Sequence, residues 1–129
     1  MPAKGKAVQH LRPETVAQLR AEGGPIFVAQ LAALLARTVP ARLAVIHHGA
    51  ETGDPAGIAR AAHSLRSSAA NLGADALAGA ADALEHAARE LAAPSESPQR
   101  TADLAAHVSA VDEAWADVAD EVRQLARTA

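Results

Sequence analysis

Apolar residues recur every three or four positions along most of this chain, and prolines and glycines interrupt the recurrence at a few points. Such spacing is typical of amphipathic helices. Pro13 suits the first turn of a short helix, which the Gly23-Gly24 pair ends. A longer helix is predicted over residues 25–49, and Pro40 is expected to kink or interrupt it.

Three more helices follow in the pattern. Asp54 is a suitable N-cap for the first of them, which Gly73 ends. The next begins at about Asp75 and runs to a loop at residues 92–98, and the last begins at Ser97-Pro98. The predicted core consists of the apolar stripes of the long helices, which are Phe27, Leu31, Leu34, Leu35, Val39, Leu43, Ile46, Ile58, Ala62, Leu65, Ala69, Leu72, Leu77, Ala81, Leu84, Ala88, Leu91, Leu104, Val108, Val111, Trp115, Val118, Val122 and Leu125.

Four long helices with narrow apolar stripes and short connections pack most economically side by side. The predicted fold is therefore all-α, an antiparallel four-helix bundle with an additional short N-terminal helix. Residues 1–11 lack a sustained period and are interpreted as a flexible arm, and residues 12–127 as the bundle domain. A chain of 129 residues fits one such domain.

Composition narrows the classes of function. The chain has no cysteine, which excludes disulfides and thiol chemistry. A net charge of −3 with 2% aromatic residues argues against a nucleic-acid surface. No signal peptide and no long uninterrupted apolar run are apparent, so we expect a cytoplasmic monomer without membrane contact.

One histidine stands out on the helix that begins after Asp54. His63 follows Ala62 of the apolar stripe and is therefore turned about 100° away from the core. Arg66 and Ser67 share its surface, and no acidic residue occurs between positions 55 and 74. A solvated imidazole is nucleophilic near neutral pH and forms covalent phosphoryl intermediates, whose oxygens Arg66 would bind.

The other histidines are interpreted as surface residues. His47 and His48 are adjacent in a helix, so their side chains diverge and chelate poorly. No paired Glu-x-x-His motifs occur, which argues against a metal-dependent bundle enzyme. Two pairs with i,i+4 spacing are expected to be surface ion pairs, Asp82 with His86 and Asp103 with His107.

The segment AHSLRSSAANLGA at residues 62–74 resembles the signature helix of histidine-containing phosphotransfer (HPt) domains of bacterial multistep phosphorelays. The similarity extends from about Leu11 to Leu125 and includes the Leu84-Glu85 pair. Two positions differ from the family pattern: Arg66 stands where lysine is usual, and Ser67 where glycine is usual.

This resemblance implies that His63 accepts a phosphoryl group from a receiver-domain aspartate and passes it to another receiver. The implied partners are response-regulator receiver domains or a hybrid histidine kinase, and they would dock on the helix of His63 and the helix of Pro40. The chain would be a phosphocarrier without autokinase activity, in agreement with the lack of a glycine-rich phosphate loop. It would need no cofactor, because Mg²⁺ would belong to the partner receiver. The alternative is an adaptor with the same fold that docks without accepting phosphate.

Overall fold

The computed structural model describes residues 9–92 and 98–128. For residues 98–102 it describes the backbone only. It contains four helices: α1 (Pro13–Thr52), α2 (Pro55–Asn71), α3 (Asp75–Ala92) and α4 (Pro98–Arg127). The loop predicted at residues 92–98, with the cap expected from Ser97, lies almost entirely outside the described residues.

The four helices form a closed bundle. Each helix packs against the next, and α1 also packs against α4. Residues 53–54 connect α1 to α2, and residues 72–74 connect α2 to α3. Connections this short force neighbouring helices to run antiparallel. The all-α bundle predicted from the sequence is confirmed.

Residues 13–23, predicted as a short N-terminal helix, form the first part of α1. The backbone of α1 leaves the helical region at Gly24, with φ 88° and ψ 168°, so two helical stretches meet at a kink where the Gly23-Gly24 pair predicted the end of the first. This conformation is accessible to glycine at little cost. Pro40 was expected to kink or interrupt α1, and it does not interrupt the helix, because the backbone stays helical at this position. Pro40 is exposed, so water can satisfy the carbonyl whose hydrogen bond the proline removes.

The end of α1 also differs from the prediction. The helix ends at Gly53, which has φ 73° and donates its N–H to the carbonyl of Gly49. Gly49 itself is buried within the helix, where a Cβ would lie 2.7 Å from the side chain of Ile58. Its role is to let α1 approach α2 closely.

The core consists of apolar side chains from all four helices, as predicted, with one correction in α1. Phe27 and Leu34 were assigned to the core, but they are 42% and 45% exposed. Val28, which was not predicted, is buried instead, and the predicted burial of Leu35 is confirmed. Apolar residues occupy more than one face of this helix, so their spacing alone does not determine which face the neighbouring helices cover.

Residues 10 and 11, which the sequence assigned to the flexible arm, pack on the bundle. Leu11 lies in the core, and its N–H donates to Glu121 of α4 at 3.0 Å. The N–H of His10 donates to the same carboxylate at 2.9 Å, and its Nδ1 lies 2.8 Å from it. The packed region therefore begins before residue 12. The rest of the predicted arm, residues 1–8, lies outside the described residues.

Helix α1 is apolar enough to resemble a membrane span by length and composition. It contains an 18-residue window of mean hydropathy 1.4, of which 28% is buried. No such segment was predicted from the sequence. Length and composition alone are weak grounds for a membrane assignment, since the core helix of a soluble protein meets the same test. In this structure α1 packs against α2 and α4.

Candidate functional site

His63 lies in the middle of α2 with its side chain 51% exposed. Local sequence holds the helix in this rotation: Ala62 and Leu65 are buried on either side of the histidine. The side chain of Asp54 accepts the N–H of Gly57 at 3.0 Å and caps the start of the helix. The outward position predicted for His63 is confirmed.

A carboxylate from α3 contacts the imidazole. Glu85 Oε2 lies 3.1 Å from Nδ1 of His63. The Glu85 side chain is only 7% exposed. Arg89, one turn further along α3, donates to Glu85 Oε2 from Nη2 at 2.6 Å. The carboxylate is thus held between the histidine and a guanidinium.

Glu85 remains ionised in this position. Burial alone would raise the pKa of Glu85, but hydrogen bonds from Arg89 and His63 outweigh that effect. The pKa therefore lies below its ordinary value of 4.5. At neutral pH the imidazole faces a full negative charge.

That charge decides which ring nitrogen carries the proton. Nδ1 of His63 lies near both Glu85 and Nη2 of Arg66, which is 3.1 Å away. Nδ1 either donates to the carboxylate or accepts from the guanidinium, and an unprotonated nitrogen facing an anion would be repelled. Nδ1–H donating to Glu85 is therefore favoured, which leaves the lone pair on Nε2. Nε2 makes no hydrogen bond within the described part of the chain.

Arg66 lies beside the histidine but faces two carboxylates. Its Nε is 3.5 Å from Glu85 and 3.7 Å from Asp82. This Nε is buried and has no hydrogen-bond partner among the described residues. The acid-free surface expected from α2 alone is therefore wrong, because α3 supplies carboxylates from a distant part of the sequence. The Leu84-Glu85 pair was the only signal of it in the sequence.

Ser67 is exposed one turn after His63. Its hydroxyl forms no hydrogen bond among residues 9–92 and 98–128. The three predicted site residues, His63, Arg66 and Ser67, thus lie on the same exposed side of α2.

Two of the remaining histidines lie beside carboxylates other than Glu85. Nε2 of His47 lies 2.9 Å from Asp112 of α4. His86 forms the expected ion pair with Asp82 at 3.6 Å, whereas the pair expected between Asp103 and His107 is wrong, since these two described residues form no ion pair. Among the described residues, no group of three or more histidines and carboxylates is arranged to hold a metal ion.

In a comparison with known protein families, the Hpt domain model matches residues 30–128, more than half of the chain. The matched range contains His63, Arg66, Ser67 and Glu85. It starts later than the resemblance seen in the sequence, so the segment around Gly24 lies outside it. Comparisons with curated proteins and with solved structures gave no match.

Proposed function

Because this chain belongs to the Hpt domain family, we propose that it carries a phosphoryl group on His63 between the receiver domains of a phosphorelay. Members of this family are phosphocarriers rather than enzymes. The observation that carries the proposal is an exposed imidazole whose Nδ1 faces the ionised Glu85. The test is transfer of labelled phosphate from a phosphorylated receiver domain to this chain.

The proposed step begins with the lone pair on Nε2. Nε2 attacks the phosphorus of an aspartyl phosphate, and the N–P bond forms as the P–O bond to the aspartate breaks. The receiver's carboxylate leaves, and the proton on Nδ1 stays where it is. Transfer to the next receiver reverses these bond changes, so no general base is needed.

Glu85 acts in this step as a positioning residue. Once Nε2 binds phosphorus while Nδ1 keeps its proton, the ring gains positive charge. The carboxylate of Glu85, 3.1 Å away, stabilises that charge. It also holds the ring in one orientation, as an acceptor on the far nitrogen of a histidine commonly does.

Arg66 supplies positive charge beside the transferring group. Its Nη2 lies 3.1 Å from the imidazole, close enough for a small side-chain rotation to reach a phosphoryl oxygen. Glu85 and Asp82 already offset part of this charge. The contribution of Arg66 is therefore partial.

We expect Arg66→Ala to slow phosphorylation about tenfold, which corresponds to roughly 1.4 kcal/mol of lost transition-state stabilisation. The fold should persist, because Arg66 lies at the surface of the bundle. Rapid-quench transfer rates and circular dichroism would measure both effects, with Arg37→Ala on α1 as the control. Equal rates for the wild type and the Arg66 variant would show that Arg66 takes no part.

We expect Ser67→Gly to speed phosphorylation modestly while lowering the free energy of unfolding by up to about 1 kcal/mol, since glycine is the poorer helix former. Removing the hydroxymethyl group gives the incoming aspartate more room. Ser68→Gly is the matched control, because it has the same helix cost but points about 100° away. A slower Ser67 variant would show that the hydroxyl binds phosphate. If the wild type takes up no phosphoryl group but the Ser67→Gly variant does, the adaptor alternative is favoured.

The partners in this proposal are response-regulator receiver domains or a hybrid histidine kinase, which dock transiently on α1 and α2. Val45, 49% exposed on α1, gives that surface an apolar contact. The chain would act as a cytoplasmic monomer through its bundle domain, without autokinase activity. Mg²⁺ would be held by the receiver, whose aspartate carries the phosphate.

A further inference from the structure

A cleft of about 250 Å³ lies between α1 and α2. Arg42 and Val45 of α1 line it together with Arg60 and Ser64 of α2. Arg60 precedes His63 by three residues, about 4.5 Å along the helix axis. The cleft therefore lies next to the imidazole, within the area that a docked partner would cover.

The two arginines of this cleft have uncompensated charge. Neither Arg42 nor Arg60 forms an ion pair or a hydrogen bond within residues 9–92 and 98–128. Arg66 and Arg89, by contrast, are paired with carboxylates of α3. The one acidic side chain lining the cleft, Asp54, is engaged in capping Gly57. A chain of net charge −3 thus has a local positive excess here.

We propose that Arg42 and Arg60 bind a carboxylate on the docking surface of the receiver domain, and that this contact selects which receivers exchange phosphate with His63. Guanidinium groups suit carboxylates because they form paired, charge-assisted hydrogen bonds. Val45 beside them takes an apolar side chain of the same partner. The inference rests on the proposed function, since it assigns the partner of that site.

Charges at the rim of an interface act mainly on the rate of association and on its salt dependence. We therefore expect the double variant R42E/R60E to reduce the second-order rate constant of phosphotransfer at least tenfold at low salt. The maximal rate at saturating receiver should change little. Added salt should slow the wild type but speed the double variant, because salt screens both the attraction to the receiver carboxylate and the repulsion that the two glutamates introduce.

The test uses receiver domains phosphorylated with phosphoramidate, first surveyed for transfer to the wild-type chain. R20E/R37E is the matched control, since it changes the net charge equally on the exposed surface of α1. Direct reaction of each variant with phosphoramidate measures the reactivity of the imidazole itself. We expect slower transfer from the receiver in R42E/R60E alone. Its direct reaction with phosphoramidate should keep the wild-type rate.

Different results would contradict the proposed arginine contact and the proposed phosphocarrier function. Equal transfer by the wild type and R42E/R60E would overturn the inference and leave the phosphocarrier function standing. An equal loss in R20E/R37E would also overturn it, because general charge would then be the cause. The inference would also be overturned if R42E/R60E lost its direct reactivity toward phosphoramidate to the same extent as its transfer rate. No transfer to the wild type from any receiver would contradict the proposed function, and the inference with it.

Discussion

His63→Gln should take up no phosphoryl group from any receiver that phosphorylates the wild type. Glutamine is similar in length and polar, so it fits the half-exposed position on α2, but it has no nucleophilic nitrogen. Labelling should therefore fall to background, the largest effect expected of any single substitution in this chain. Transfer of labelled phosphate measures the loss. The label is followed on a gel run under alkaline conditions, in which phosphohistidine is stable.

His48→Gln is the control for this variant. His48 is also exposed, but it lies on α1, outside the cluster around Glu85. The His48→Gln variant should take up label at the wild-type rate. Residual labelling of the His63 variant at a comparable level would mean that another residue accepts the phosphoryl group.

Glu85→Gln should slow phosphotransfer by roughly tenfold to a hundredfold, by analogy with the loss of the carboxylate that orients a metal-ligating histidine. The amide keeps the shape of the side chain but removes the charge that favours Nδ1–H and stabilises the phosphorylated ring. Long-range ¹⁵N NMR of the imidazole should show a larger population with the proton on Nε2. Glu85→Ala should also lower the free energy of unfolding by about 2 kcal/mol, because Arg89 loses the acceptor of its hydrogen bonds and Arg66 loses an ion-pair partner.

The comparison variant for Glu85 is Glu113→Gln, an exposed position on α4 with the same chemical change. Its tautomer balance and transfer rate should match those of the wild type. A Glu85→Gln variant with unchanged tautomers and unchanged rate would remove Glu85 from the mechanism, although the histidine would remain the proposed acceptor.

The local part of the site could be predicted from the sequence. His63, Arg66 and Ser67 lie within about one turn of each other, so helical spacing alone places them on one surface. The caps at Asp54 and Gly73 were predictable for the same reason, because a helix end depends on the residues next to it.

Contacts between helices could not be predicted in this way. His63 and Glu85 are 22 residues apart, and their contact depends on how α2 and α3 align, which the period of one helix does not contain. The same holds for Phe27 and Leu34, whose exposure depends on the positions of α2 and α4. Periodicity shows that a helix has an apolar face; packing decides which apolar residues stay outside.

The most direct test of this account is ³¹P and ¹⁵N NMR of the chain after phosphorylation by a receiver domain. The account predicts a single phosphohistidine at His63 with phosphorus bound to Nε2 and the proton retained on Nδ1. Phosphorus on Nδ1 of His63, or on a different residue, would contradict it.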